Sequence, residues 1–331
     1  MVRHLITGGA GFIGSHLADQ LVAHGHAVTL YDDLSTGSLA NVEHLIDLEQ
    51  VSFVEGSTSD ADAIDELVAG ADRVLHLASA VGVQLVVDRP LESLTANVRG
   101  CENVLQASAR HGKRALFTST SETYGKNSAG ALDEESDRIL GSPFRSRWNY
   151  AIAKGFGEAL AHALHRERGA QITTVRLFNT VGPRQTGLYG MVVPRFVRQA
   201  LAGDDLTVFG NGTQTRCFAH VHDSIAAILA LLDHPEGAGD VFNIGTEDEL
   251  AVIELAGRVI ERTGSDSRVA LVPYDKAYGE GFEELGRRKP DTRKLRTVTG
   301  WAPTRTIDDA IDDVILHEQA RAAREHGAIA P

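Results

Sequence analysis

Tyr150 and Lys154 stand four residues apart in Asn149-Tyr150-Ala151-Ile152-Ala153-Lys154, so a helix there carries a phenol and an ammonium on one face. A phenol ordinarily ionises near pH 10 and is a poor base at neutrality; a neighbouring cation favours the phenolate and makes it a proton acceptor. Taken alone, the pair is as compatible with a solvated helix face. Its position argues for chemistry: it follows, by a strand and a loop, the hydroxyl run Thr118-Ser119-Thr120, which ends an apolar stretch read as a strand. Glu122 comes two residues after that run.

The start of the chain says what those groups face. The apolar run 2–7 meets Gly8-Gly9-Ala10-Gly11-Phe12-Ile13-Gly14 and then a helical pattern at 15–21. Gly9-x-Gly11-x-x-Gly14 and Gly8-x-x-Gly11-x-x-Gly14 both suit a dinucleotide, because missing β-carbons let the backbone turn tightly and approach the pyrophosphate. The free N–H groups of the helix start then point at the phosphates. The next strand, 26–31, runs into Asp32-Asp33, carboxylates placed to bind ribose hydroxyls and to repel a 2′-phosphate. The expected cofactor is therefore NAD rather than NADP, and Lys154 can also hold its nicotinamide ribose.

Strand and helix patterns alternate through the first half. Strands are expected at 51–55, 73–78, 114–119 and 172–177, and helices at 61–68, 91–111 and 148–166, the second with Leu94, Val98, Val104 and Leu105 on its apolar side. This alternation predicts an α/β fold, a doubly wound parallel Rossmann sheet. After about residue 180 the pattern loosens into helices at 194–202, 223–232, 252–262 and 307–321, with short strands at 206–209 and 241–244. We expect a dinucleotide domain over 1–178, with 214–247 returning to it. A smaller mixed α/β substrate lobe should be built from 179–213 and 248–331.

Here the chain resembles the extended short-chain dehydrogenase/reductase family, in particular its nucleotide-sugar epimerases, dehydratases and decarboxylases. The resemblance rests on Gly8–Gly14, Asp32, His76-Leu77-Ala78, Asn97, Thr118-Ser119-Thr120, Tyr150 with Lys154, Phe178-Asn179, Gly182-Pro183-Arg184 and Gly300-Trp301. It implies that Tyr150 takes the proton of a sugar 4-hydroxyl while hydride leaves C4 for NAD, with Thr120 bonded to the same oxygen. It also implies cofactor contacts from Gly8, Gly11, Phe12, Ile13, Gly14, Asp32, Asp33, Leu77, Ala78, Asn97 and Lys154. Family members often carry Gly-Asp where this chain has Gly56-Ser57, and Asp60 is expected to compensate in part.

Glu122 suits acid/base work at C5, where simple 4-epimerases have a small residue. The residue before it is Ser121, whereas dTDP-sugar dehydratases place an Asp there. Three segments look like UDP-glucuronate decarboxylases: 145–150, Gln214-Thr215-Arg216-Cys217-Phe218, and Tyr278-Gly279-Glu280-Gly281-Phe282 followed by Arg287-Arg288-Lys289-Pro290-Asp291. They imply substrate contacts from Ser121, Asn179, Val193, Arg216 and Arg288, and guanidinium forks match phosphate or carboxylate.

The leading expectation is thus a UDP-glucuronate decarboxylase. A UDP-sugar 4-epimerase is the near alternative, with a 4,6-dehydratase behind it and a non-catalytic NAD-sensing regulator in another class. Thr186 speaks against a uronate epimerase, which resembles this chain but places an Arg there.

A net charge of −13 argues against nucleic acid or anionic membrane as partner. Two cysteines give no disulfide framework, and with no signal peptide or membrane span in the pattern a cytoplasmic enzyme is expected. The thiol of Cys217, beside Arg216, is expected to be lowered. In His220-Val221-His222-Asp223 the Asp reads as a helix N-cap, so no metal is expected. By resemblance, a homodimer forms through the 91–111 and 148–166 helices.

Overall fold

The computed structural model describes residues 1–80, 89–187, 191–274, 276 and 286–327. Seven parallel strands form one sheet in the order Val241–Ile244, Ile172–Leu177, Arg114–Thr120, Arg73–His76, Arg3–Thr7, Ala27–Asp32, Val51–Glu55. Side-chain alternation explains the layers. Leu5, Val74 and Phe117 pack on one side with Ile64, Val104 and Leu164. Ile6, Leu75, Leu116 and Val175 pack on the other with Leu17, Ile228 and Phe242. Burial of both faces is why these strands read as near-continuous apolar runs.

Helices Ala61–Gly70, Pro90–Arg110 and Asn149–Arg168 cover the first side, and Phe12–Ala23 and Val221–Leu232 the second. Chain order reverses between Arg3–Thr7 and Arg73–His76, and a doubly wound fold binds its ligand beyond the carboxyl ends of the strands at that point. Within Pro90–Arg110, Leu94 and Val98 are only half-buried; Ser93, Asn97, Gly100, Val104 and Ser108 form the buried stripe. The small residues there let this helix lie close to its neighbours.

A second core gathers Phe196, Val197, Leu206, Val208, Leu255, Val259, Ile311 and Val314 around the helices Val192–Ala202, Val252–Thr263 and Ile307–Gly327. The stretch 214–247 is divided. Thr215–Cys217 pairs antiparallel with Glu249–Ala251 outside the main sheet, whereas Val241–Ile244 joins it beside Ile172–Leu177. Leu295 and Trp301, from far along the chain, also pack into the main core.

Two local expectations change. The strand beginning at Arg73 ends at His76, leaving Leu77 and Ala78 to line the crevice. The helix Val221–Leu232 is capped by His220, whose ring accepts from the His222 N–H at 3.1 Å, and not by Asp223. The Asp223 carboxylate instead accepts from Thr304 N, Thr304 Oγ1 and Arg305 N at 3.1, 2.8 and 3.0 Å, bolting the segment after Trp301 to this helix. Among the described residues no helix is long and apolar enough to cross a membrane.

Candidate active site

The carboxyl ends of the central strands open into a crevice of about 510 Å³. Its floor is the glycine turn. Gly8 has φ +73°, and a β-carbon there would lie 2.7 Å from Ala78 N; one on Gly14 would lie 2.1 Å from Gly8 O. The helix Phe12–Ala23 starts at Gly11 with no side-chain cap, so its first N–H groups are left for a ligand.

Asp32, buried at the end of its strand, accepts from Ala10 N at 3.0 Å and Leu34 N at 2.8 Å, which leaves each oxygen a lone pair for a ribose hydroxyl. Asp33 is exposed on the rim and accepts from Ser35. This cradle fits a dinucleotide with an unsubstituted ribose.

Tyr150 and Lys154 come from the first turns of Asn149–Arg168. Lys154 is buried, and its Nζ donates to the Thr118 carbonyl at 2.7 Å, lying 5.9 Å from the centre of the Tyr150 ring. Burial pushes the lysine down to about 8. Burial also pushes the Tyr150 phenol up, with the Glu122 charge acting the same way, while hydrogen bonds to Ser79 and Thr120 oppose the rise. The expectation that the ammonium alone lowers the phenol is therefore not met: Lys154 is turned onto a backbone carbonyl, and ionising Tyr150 needs further positive charge or donors.

Glu122 sits on the short 3-10 turn Ser121–Tyr124 between two arginines. Arg147 Nη1 donates to its Oε2 at 2.6 Å and Arg288 Nη1 to its Oε1. Burial opposes its ionisation, yet the guanidiniums of Arg288 and Arg147 together hold the carboxyl well below the usual range. With two cations and one anion, the cluster carries a net positive charge facing the crevice, in a chain whose overall charge is −13. Arg288 is presented by the strand Lys289–Pro290, which pairs with Ala131–Leu132.

Gly8, Gly11, Phe12, Ile13, Gly14, Asp32, Asp33, Leu77, Ala78, Asn97, Thr120, Ser121, Glu122, Tyr150, Lys154, Asn179, Arg216 and Arg288 all line the one crevice. Asn97 accepts from Ser79 Oγ and Ala80 N, both at 2.8 Å, and so clamps the turn after the strand Arg73–His76. Asn179 donates to the Cys217 carbonyl at 2.9 Å, joining the two lobes. Arg216 reaches the crevice beside Gln214 and Phe218.

Two expected residues are not on the wall. Asp60 caps the helix Ala61–Gly70, accepting from Ala63 N at 3.1 Å, and Ser57 and Thr58 take the wall in its place. Val193 is fully buried in the second core because its helix turns that face inward; Val192 lines the crevice instead. Burial pushes the Cys217 thiol up to about 12, opposite to expectation, since desolvation outweighs the nearby cations. The segment 278–282 lies outside the described residues.

Sequence reasoning passed over Ser79, Arg147, Arg195 and Phe209 as wall residues. Arg147 had a signal, standing three residues before Tyr150 and so near the same helical face. Ser79 had none, because only strand packing brings it to Tyr150.

A model of the NAD dependent epimerase/dehydratase family matches residues 4–245. The UDP-N-acetyl-alpha-D-glucosaminuronate decarboxylase of Bacillus cytotoxicus is 41% identical to this chain, over 95% of it and 96% of that protein. UDP-glucuronic acid decarboxylase 1 of Xenopus tropicalis is 34% identical over 98% of this chain and 74% of its own length. A solved UDP-glucuronic acid 4-epimerase from Bacillus cereus, in complex with UDP-glucuronic acid and NAD, is similar with a TM-score of 0.86 and 27% identity, covering 96% of this chain and 99% of that one. The glycine cradle, the Tyr150–Lys154 pair and these likenesses agree, and the chain belongs to the NAD-dependent epimerase/dehydratase family of extended short-chain dehydrogenase/reductases.

Proposed function

We propose that this chain decarboxylates a UDP-linked hexuronic acid through a transient 4-ketone. The observation that carries the reading is the Arg147–Glu122–Arg288 cluster on the same wall as Tyr150. Bound NAD supplies hydride acceptance from C4 and its return. Tyr150, as phenolate, takes the proton of the 4-hydroxyl, and Thr120 bonds the same oxygen and holds it in line. Lys154, anchored on Thr118, supports the phenolate and the cofactor ribose.

A ketone at C4 makes the C5 carboxylate a β-keto acid, whose loss of carbon dioxide needs no base. Arg147 and Arg288 receive the carboxylate and offset the negative charge that passes to C5 and O4 as it leaves. Glu122, held ionised, keeps both guanidiniums aimed. The same cluster speaks against dehydration, since neither Ser121 nor an ionised Glu122 can protonate a leaving 6-hydroxyl. Arg216 and Asn179 fit the diphosphate and the lobe junction.

The similarity to decarboxylases acting on glucuronate and on N-acetylglucosaminuronate supports uronates as the substrate class. We also propose a homodimer formed through Pro90–Arg110 and Asn149–Arg168, which leave Leu91, Ile152 and Phe156 exposed, working in the cytoplasm. The test is incubation with UDP-glucuronate and with UDP-N-acetylglucosaminuronate, following carbon dioxide and the sugar product. Release of carbon dioxide with a pentose product from either one supports the assignment. A C4 epimer without carbon dioxide replaces it with the epimerase, and NAD binding without turnover of any UDP-sugar replaces it with a sensor.

A further inference from the structure

Tyr150 has a second hydroxyl partner besides Thr120, and its bonding direction is fixed. Asn97 is buried and accepts at Oδ1 from Ala80 N at 2.8 Å while donating from Nδ2 to Ala80 O at 3.0 Å. Those two backbone partners settle which end of the amide is oxygen. Ser79 Oγ lies 2.8 Å from that oxygen, which can only accept, so the Ser79 proton points at Asn97. Ser79 is also bonded to the Tyr150 phenol and, with its proton spent, must accept the phenol's. On the other side Thr120 Oγ1 accepts from Glu122 N at 3.2 Å, leaving its own proton for Tyr150. A one-way chain runs Thr120 to Tyr150 to Ser79 to Asn97.

We propose that Ser79 is a positioning residue for the proton acceptor: its hydroxyl accepts from the neutral phenol and rotates to donate to the phenolate. Rotation costs little, because Asn97 Oδ1 keeps the Ala80 N–H when the serine proton leaves it. No net proton is gained or lost at Ser79; the sugar proton goes to Tyr150, and the serine bond reverses. The role rests on Tyr150 being the proton acceptor of the proposed reaction. The charged groups facing the phenol are Glu122 with Arg147 and Arg288 behind it on the opposite wall, and Lys154 on its own helix. Ser79 is thus an uncharged donor available from the strand side.

The test reads the phenol directly, so it does not depend on which sugar is turned over. Ultraviolet titration of tyrosinate in the NAD-loaded protein, with Tyr150→Phe in the same background as blank, isolates this one group. Ser79→Ala is expected to raise its midpoint by about one unit, leaving about tenfold less phenolate at a given pH below it. The pH profile of kcat should move by the same amount, with the sugar KM little changed. Ser79→Thr should restore both. Ser79→Cys, similar in size but a weak donor, should fall between. An unshifted midpoint in Ser79→Ala, a Cys variant titrating like the parent, or failure of threonine to rescue overturns the proposal. A shifted midpoint in a protein that turns over no uronate upholds it while removing the decarboxylase reading.

Discussion

Replacing Asn243 by alanine should loosen both the fold and the substrate side of the crevice, although the residue is fully buried and off the crevice wall. Its side chain accepts from Tyr124 Oη at 2.7 Å and donates to the carbonyls of Leu132 and Asp291 at 2.9 and 3.2 Å. Those carbonyls belong to the paired segments that present Arg288 to Glu122.

Some partners survive the substitution: Leu132 O still accepts from Asp291 N at 2.8 Å, and Tyr124 Oη still accepts from Arg176 at 2.9 Å. The Tyr124 proton and the Asp291 carbonyl lose this partner. At about 1–3 kcal/mol for each buried group left unpaired, the loss should be about 2–4 kcal/mol. Urea denaturation at neutral pH measures it. In the same protein the KM for the uronate should rise while NAD affinity stays within about twofold, since the NAD cradle lies on the far strands. A stability loss under about 0.5 kcal/mol, or equal losses of NAD and sugar binding, refutes the coupling between this network and Arg288.

Gly14→Ala puts a β-carbon 2.1 Å from Gly8 O, a backbone atom that cannot yield, so NAD binding measured by calorimetry should fall at least about a hundredfold while the chain stays folded. Tyr150→Phe should abolish turnover with NAD affinity retained; unchanged turnover would remove Tyr150 from its role. Arg147→Met should destabilise in a pH-dependent way. The folded carboxyl of Glu122 lies below its unfolded value, so the stability it contributes is present above about pH 4.3 and lost as pH falls through the folded value. The difference between parent and variant should therefore be full at neutrality and shrink below about pH 4; a difference that ignores pH would contradict the ion-pair account.

Local signals carried much of the molecule. Glycine at 8, 11 and 14 could be read because a tight turn against strand and helix excludes a β-carbon whatever surrounds it. The strands of the main sheet could be read because burial on both faces makes them continuously apolar. Tyr150 and Lys154 could be paired because helical spacing is a property of neighbours in the chain.

Tertiary packing decided the rest. It turned Lys154 onto Thr118 and raised the phenol it was expected to lower, because burial outweighs a cation whose bond goes elsewhere. It moved Asp60 and Val193 off the wall, one to a helix cap and one into a core. It brought Arg288 across 166 residues to Glu122, and Ser79 to Tyr150. Charge, burial and bond direction at such meetings depend on what arrives from distant strands, and no spacing along the chain encodes that.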